Sequence, residues 1–138
     1  MLFRSRPNLD ETLLERYVEQ ACDGMRTGAF TYIAHPDILY YEGDPGYYRE
    51  MIAQLCVCAR DMHIPLEYNL LGITNKKGYP KPEFWKLASE IGNKVVIGYD
   101  AHTPDALLDD DAFYQCVLNL NAMELSLMDY DKIKFRKV

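Results

Sequence analysis

The stretch Lys94-Val95-Val96-Ile97-Gly98-Tyr99-Asp100-Ala101-His102-Thr103-Pro104 restricts the fold of this chain more than any other. Residues 94–97 form a short β-branched run of the kind that makes a buried strand. At a strand's period of two, Asp100 and His102 share a face at its C-terminal end. Thr103 then reads as an N-cap, Pro104 as the first helical position and Asp105 as an acid in the first turn. Strand, two chemically active side chains, helix start is how an α/β barrel presents chemistry at the C-terminal ends of its strands. A carboxylate and an imidazole so placed reach one divalent metal ion. The same two residues fit equally a turn in which they only cap and hydrogen-bond.

Upstream, the same rhythm repeats. Asn8 with Glu11 resembles a capping box. Leu14, Tyr17, Val18, Ala21, Cys22 and Met25 then recur at helical spacing until Gly28. Residues 29–34 read as a strand that ends on His35-Pro36-Asp37, where proline forbids continued pairing. Asp44-Pro45 opens a helix with Tyr48, Met51, Ile52, Leu55, Ala59 and Met62 on one face and His63 at its end. Residues 65–71 form the next predicted strand, and 72–80 a polar, turn-rich loop. Pro82 opens a helix that buries Phe84, Trp85, Ala88 and Ile91, and Gly92-Asn93 closes it. A last helix follows Thr103 and buries Leu107, Phe113, Cys116, Val117 and Leu120; the tail 132–137 alternates charged and apolar residues as an edge strand or surface segment would. Strands alternating with helices predict a parallel sheet in an α/β fold.

At 138 residues the chain suits a single domain, and its 49% hydrophobic content suits a packed core. A net charge of −6 argues against a nucleic-acid partner. The N-terminus lacks the apolar core of a signal peptide, and no run is long enough to span a membrane. Cys22, Cys56 and Cys116 fall at apolar helical positions, and Cys56-Val57-Cys58 is too tight for an ordinary bridge. Buried free thiols in a reducing cytoplasm are therefore expected.

Three predicted strand ends carry ionisable groups: His35; Glu67 with Asn69 two residues on; and Asp100 with His102. In a parallel α/β fold these ends converge. Glu67 is the oddest, because a carboxylate inside an otherwise apolar strand is costly unless paired or coordinated; the bland alternative is a solvent-facing glutamate on an edge strand. His63, at a helix end before a residue leading to Pro65, fits the surface better than a ligand set. Neither a glycine-rich phosphate loop nor a serine in a nucleophile elbow occurs.

Taken in order, Tyr32-Ile33-Ala34-His35-Pro36-Asp37, Leu66-Glu67-Tyr68-Asn69 and Val96-Ile97-Gly98-Tyr99-Asp100-Ala101-His102-Thr103-Pro104 resemble the C-terminal half of a PHP-domain phosphoesterase, most closely its histidinol-phosphatase branch. The resemblance runs from about residue 8 to 121. It implies a distorted (β/α)₇, TIM-like barrel with mainly parallel strands, holding divalent Zn, Fe or Mn. It implies His35, Asp100 and His102 as metal ligands, Asp100 and His102 as the catalytic pair, and Glu67 and Asn69 in a supporting role. The implied reaction is hydrolysis of a small phosphorylated substrate such as histidinol phosphate, a step of histidine biosynthesis. Tyr99 stands where the family usually has serine.

The family's His-x-His motif, next histidine and bridging glutamate all precede the histidine-proline motif, and none occurs in residues 1–34. Residues 1–138 are thus expected to be a single partial PHP domain, complete only with the N-terminal half or by self-association, and poorly active or inactive alone. A fragment, a split-gene product and a remnant all fit. A non-catalytic α/β interaction module and a PHP-type phosphodiesterase or exonuclease are the alternatives.

Overall fold

The computed structural model describes residues 11–39, 41–69, 80–98 and 110–128. Helix α1 spans Glu11–Arg26, with an acid in its first turn and a base in its last, each complementing the helix dipole. Its buried residues are Leu14, Val18, Cys22 and Met25, one stripe at helical spacing. Gly28, at φ 76°, turns the chain away. The capping box predicted at Asn8 lies outside the described residues.

The strand predicted over 29–34 is reduced to a single parallel bridge between Ile33 and Leu66. The Ile33 N–H donates to the Pro65 carbonyl (3.1 Å), and the Glu67 N–H donates to the Ile33 carbonyl (2.9 Å). Phe30, whose ring lies over Gly24 of α1, and Tyr32 stay partly exposed, and Ile33 is the residue of the run that is buried. His35, at φ 25°, and Pro36 then end the pairing.

Helix α2 spans Pro45–Asp61, and the Asp44 carboxylate caps it by accepting from the Tyr47 N–H (3.0 Å). Tyr48, Ile52, Leu55, Cys56 and Ala59 face the core. Strand β1, Leu66–Asn69, is buried at every position, as a strand covered on both faces must be; the two further residues predicted for it lie outside the described residues. Helix α3, Pro82–Ile91, packs Trp85 against Tyr68 of β1, with ring centroids 5.1 Å apart at 59°. Gly92 closes α3 at φ 92°, where its N–H donates to Ala88 O (3.0 Å). The neighbouring Asn93 amide reaches back to the Cys56 carbonyl of α2 (2.8 Å).

Strand β2, Lys94–Gly98, lies parallel to β1 with Leu66 beside Val95, Glu67 beside Val96, Tyr68 beside Ile97 and Asn69 beside Gly98. Helix α4, Asp110–Ala122, buries Cys116 and Leu120; its predicted start near Thr103 lies outside the described residues, as does the tail 132–137. Strand β3, Ser126–Leu127, pairs parallel to β2 and was not legible as a strand beforehand. The described residues form a mixed α/β structure with a three-stranded parallel sheet in the order β1-β2-β3. Among them no helix is long and apolar enough to cross a membrane.

A Cβ added at Gly92 would meet nothing within 4 Å, so its cost is purely conformational. Gly92→Ala should lower stability by about 1 kcal/mol, and Gly92→Asn by less, since Asn tolerates the left-handed region better. Urea denaturation midpoints of the two variants check this.

Candidate functional site

Because β1 and β2 are parallel, their C-terminal ends lie on the same side of the sheet. Side chains two residues apart share a face, so Glu67 and Asn69 stand together, opposite the face on which Tyr68 meets Trp85. Glu67 is only 6% exposed, which excludes a solvent-facing role. Its burial is offset by hydrogen bonds: Oε1 accepts from the His35 backbone N–H (2.9 Å) and from Asn69 Nδ2 (3.0 Å). The rest of the carboxylate lies against Gly98. A Cβ there would sit 1.8 Å from Oε2 and 2.6 Å from Cγ. Gly98 is therefore needed for space.

The Glu67 bond reaches a turn held from several sides. His35 adopts a positive φ, which is uncommon for a residue with a side chain. The Tyr17 hydroxyl on α1 donates to the Pro36 carbonyl (2.6 Å). Asp37, 2% exposed, accepts at Oδ2 from the Lys81 N–H (2.7 Å) and from Trp85 Nε1 (3.0 Å). The Lys81 ammonium donates to the Leu39 carbonyl (2.7 Å) and stands 5.2 Å from the centroid of the Tyr48 ring. The turn is thus tied to β1, to α1 and to the start of α3.

Burial sets the electrostatics. It pushes the Asp37 carboxyl up to about 6, against the lowering effect of the Lys81 N–H and Trp85 donors. It holds Lys81 below the ordinary lysine value, and it raises Tyr17 and Tyr48.

The structure brings His35, Glu67 and Asn69 to one place. Asp100 and His102 lie outside the described residues, and His63 is exposed and at φ 56° beyond α2. Tyr17, Asp37, Lys81, Trp85 and Gly98 carry the geometry without having been singled out for it. A tryptophan on an apolar helix face was the one available signal, since a buried indole N–H needs an acceptor. Among the described residues no group of three or more His, Cys, Asp or Glu side chains could hold a metal ion. His35 and Glu67 are nevertheless donors of the nitrogen and oxygen classes that a divalent ion of this kind takes. No protein-family model, curated protein or solved structure matches the chain.

Gly98→Ala should drive the Glu67 carboxylate out of its place and cost about 2–4 kcal/mol in chemical denaturation. Glu67→Ala removes the clash, so the double variant should be clearly non-additive.

Asp37 gives a pH signature. The folded protein holds its proton up to about pH 6, the unfolded chain only to the ordinary value of 3.8. Between the two the native state binds more protons, so this contribution to stability is complete below the unfolded value and lost as pH rises through the folded one. Asp37→Asn should flatten the melting-temperature profile between about pH 4 and 6 relative to the parent protein.

Proposed function

We propose that this chain is the C-terminal half of a PHP-type α/β barrel whose reaction is the cytoplasmic, metal-dependent hydrolysis of a small phosphomonoester, of the histidinol-phosphatase type. The observation that supports this best is the buried Glu67 carboxylate at the C-terminal end of β1, bonded to Asn69 and to the His35 turn and given room by Gly98. A polar cluster in that position is costly to a fold that does not use it.

In this reading His35, Asp100 and His102 are the protein ligands, with Asp100 and His102 also the catalytic pair. Glu67 and Asn69 position the His35 turn. Bound Zn, Fe or Mn would supply water activation and neutralise charge on the phosphoryl oxygens. The chain's own residues set the turn that carries His35 and hold the carboxylate behind it with two hydrogen bonds.

The partner is the missing half of the barrel or a second copy. Phe30 and Tyr32, 37% and 45% exposed, border a groove of about 620 Å³ with Tyr17, Ala21, Ile33 and His35, beside the β1 edge of the described sheet. The same groove favours the second reading, a non-catalytic module that keeps the scaffold and binds a partner. A PHP-type phosphodiesterase or exonuclease fits the net charge of −6 less well.

Phosphate release from histidinol phosphate separates these. The chain alone should bind at most one divalent ion and turn over poorly. Supplying an N-terminal PHP half should restore turnover, and Asp100→Ala in that complex should abolish it. Robust hydrolysis by the chain alone, unaffected by His102→Ala, would overturn the ligand assignment. A complex that forms but never hydrolyses favours the binding module.

A further inference from the structure

A second pair of reactive side chains lies between α1 and α2, apart from the His35 turn. Cys22 on α1 is 5% exposed, and Cys58 on α2 is half-buried. Cys58 Sγ stands 3.8 Å from the Cys22 carbonyl oxygen, and Cys22 Sγ stands 3.8 Å from the Gln54 carbonyl oxygen one turn before Cys58. Each sulfur thus lies against the backbone of the helix that carries the other thiol. Both border one solvent-open cleft of about 780 Å³, whose other walls include Glu15, Glu19, Met51 and Met62. Cys56 and Cys116, by contrast, are fully buried.

We propose that Cys22 and Cys58 form a reversible dithiol–disulfide pair that cross-links α1 to α2 when the protein meets a small-molecule disulfide. The inference does not depend on the reaction proposed above. With Cys58 Sγ against the Cys22 carbonyl and Cys22 Sγ one turn from Cys58, rotation about the two side-chain bonds brings the sulfurs toward each other across the helix pair. The cleft gives the oxidant a way in, which a thiol in the core would lack.

The chemistry balances as two exchanges. The Cys58 thiolate attacks one sulfur of the oxidant, its S–S bond breaks, and the departing thiolate takes up a proton in place of the one Cys58 lost. Cys22 then attacks Cys58 Sγ in the mixed disulfide, and the second small thiolate leaves and is protonated by the proton Cys22 gives up. Two protein thiols are oxidised and one small disulfide is reduced to two thiols. Cys58 attacks first because it is the more exposed; burial also pushes the Cys22 thiol up to about 11.

The full chain treated with oxidised glutathione at neutral pH, then alkylated and analysed by mass spectrometry, tests this. The expected product has lost two hydrogens, carries a link between the tryptic peptide of Cys22 and peptide 50–60, and reverts with dithiothreitol. Peptide 50–60 contains both Cys56 and Cys58, so fragmentation spectra assign the bond. Cys58→Ser should keep the parent's reduced melting temperature and form no link, and Cys22→Ser should stop at a mixed disulfide on Cys58. The oxidised protein should melt about 5 °C or more above the reduced one, since the bond closes a loop in the unfolded chain. A stable glutathione adduct on Cys58 in the parent protein, a bond to Cys56 or to a second chain, or a link that lowers the melting temperature would overturn the proposal.

Discussion

The carboxylate of Glu67 is the constraint around which the sheet is built. Removed from water between two parallel strands, it persists because one oxygen is met by two donors that come from different parts of the chain. One donor is the amide of Asn69, supplied by the strand's own period of two. The other is the main chain at His35, which can arrive only if the segment before it docks beside β1. That docking is a single bridge of two backbone hydrogen bonds, to which the glutamate adds a third. The neighbouring strand contributes by leaving a gap at Gly98, and the register sets which residue must be small.

Beyond Glu67, the turn from His35 to Leu39 is positioned by side chains from α1 and from the start of α3. The Asp37 carboxylate receives a backbone N–H and an indole N–H from the beginning of α3, and Lys81 spends its ammonium on the carbonyl of Leu39. Each of these bonds joins residues more than forty positions apart. A strained residue such as His35 persists when its surroundings over-determine it, and here they do.

The helices and the two longer strands were legible because their signals are local. Apolar spacing of 3.6, the Asp44-Pro45 cap, Pro82 and Gly92 are each contained within a few residues, and α1, α2, α3, β1 and β2 stand where those signals put them. Residues 29–34 carry the composition of a strand, yet pairing is a tertiary matter, and only Ile33 of the run is buried beside β1, while the Phe30 ring lies over Gly24 of α1. Strand β3 has two exposed residues and no period to detect; its place follows from the turn after α4, where Glu124 adopts φ 57° and the Leu125 N–H returns to Leu120 O. Glu67 was conspicuous as a charge in an apolar strand, and Asn69 beside it was visible by spacing. The need for glycine at 98 was not, since it depends on register, and the Asp37–Trp85 bond depends on how α3 packs.

Two of the side-chain anchors just after His35, at Pro36 and Asp37, differ in one respect that bears on how the turn responds to its surroundings. Asp37 changes charge near pH 6. Tyr17 does not: burial and the nearby Asp37 charge push its hydroxyl far above the ordinary phenol range, so it remains a donor to Pro36 wherever the protein is folded. Seen from α1, the turn therefore has a reference point that acid and mild alkali leave alone, while its attachment to α3 is sensitive to protons. A change in acidity would be felt where Asp37 meets α3 and not at the Tyr17 contact.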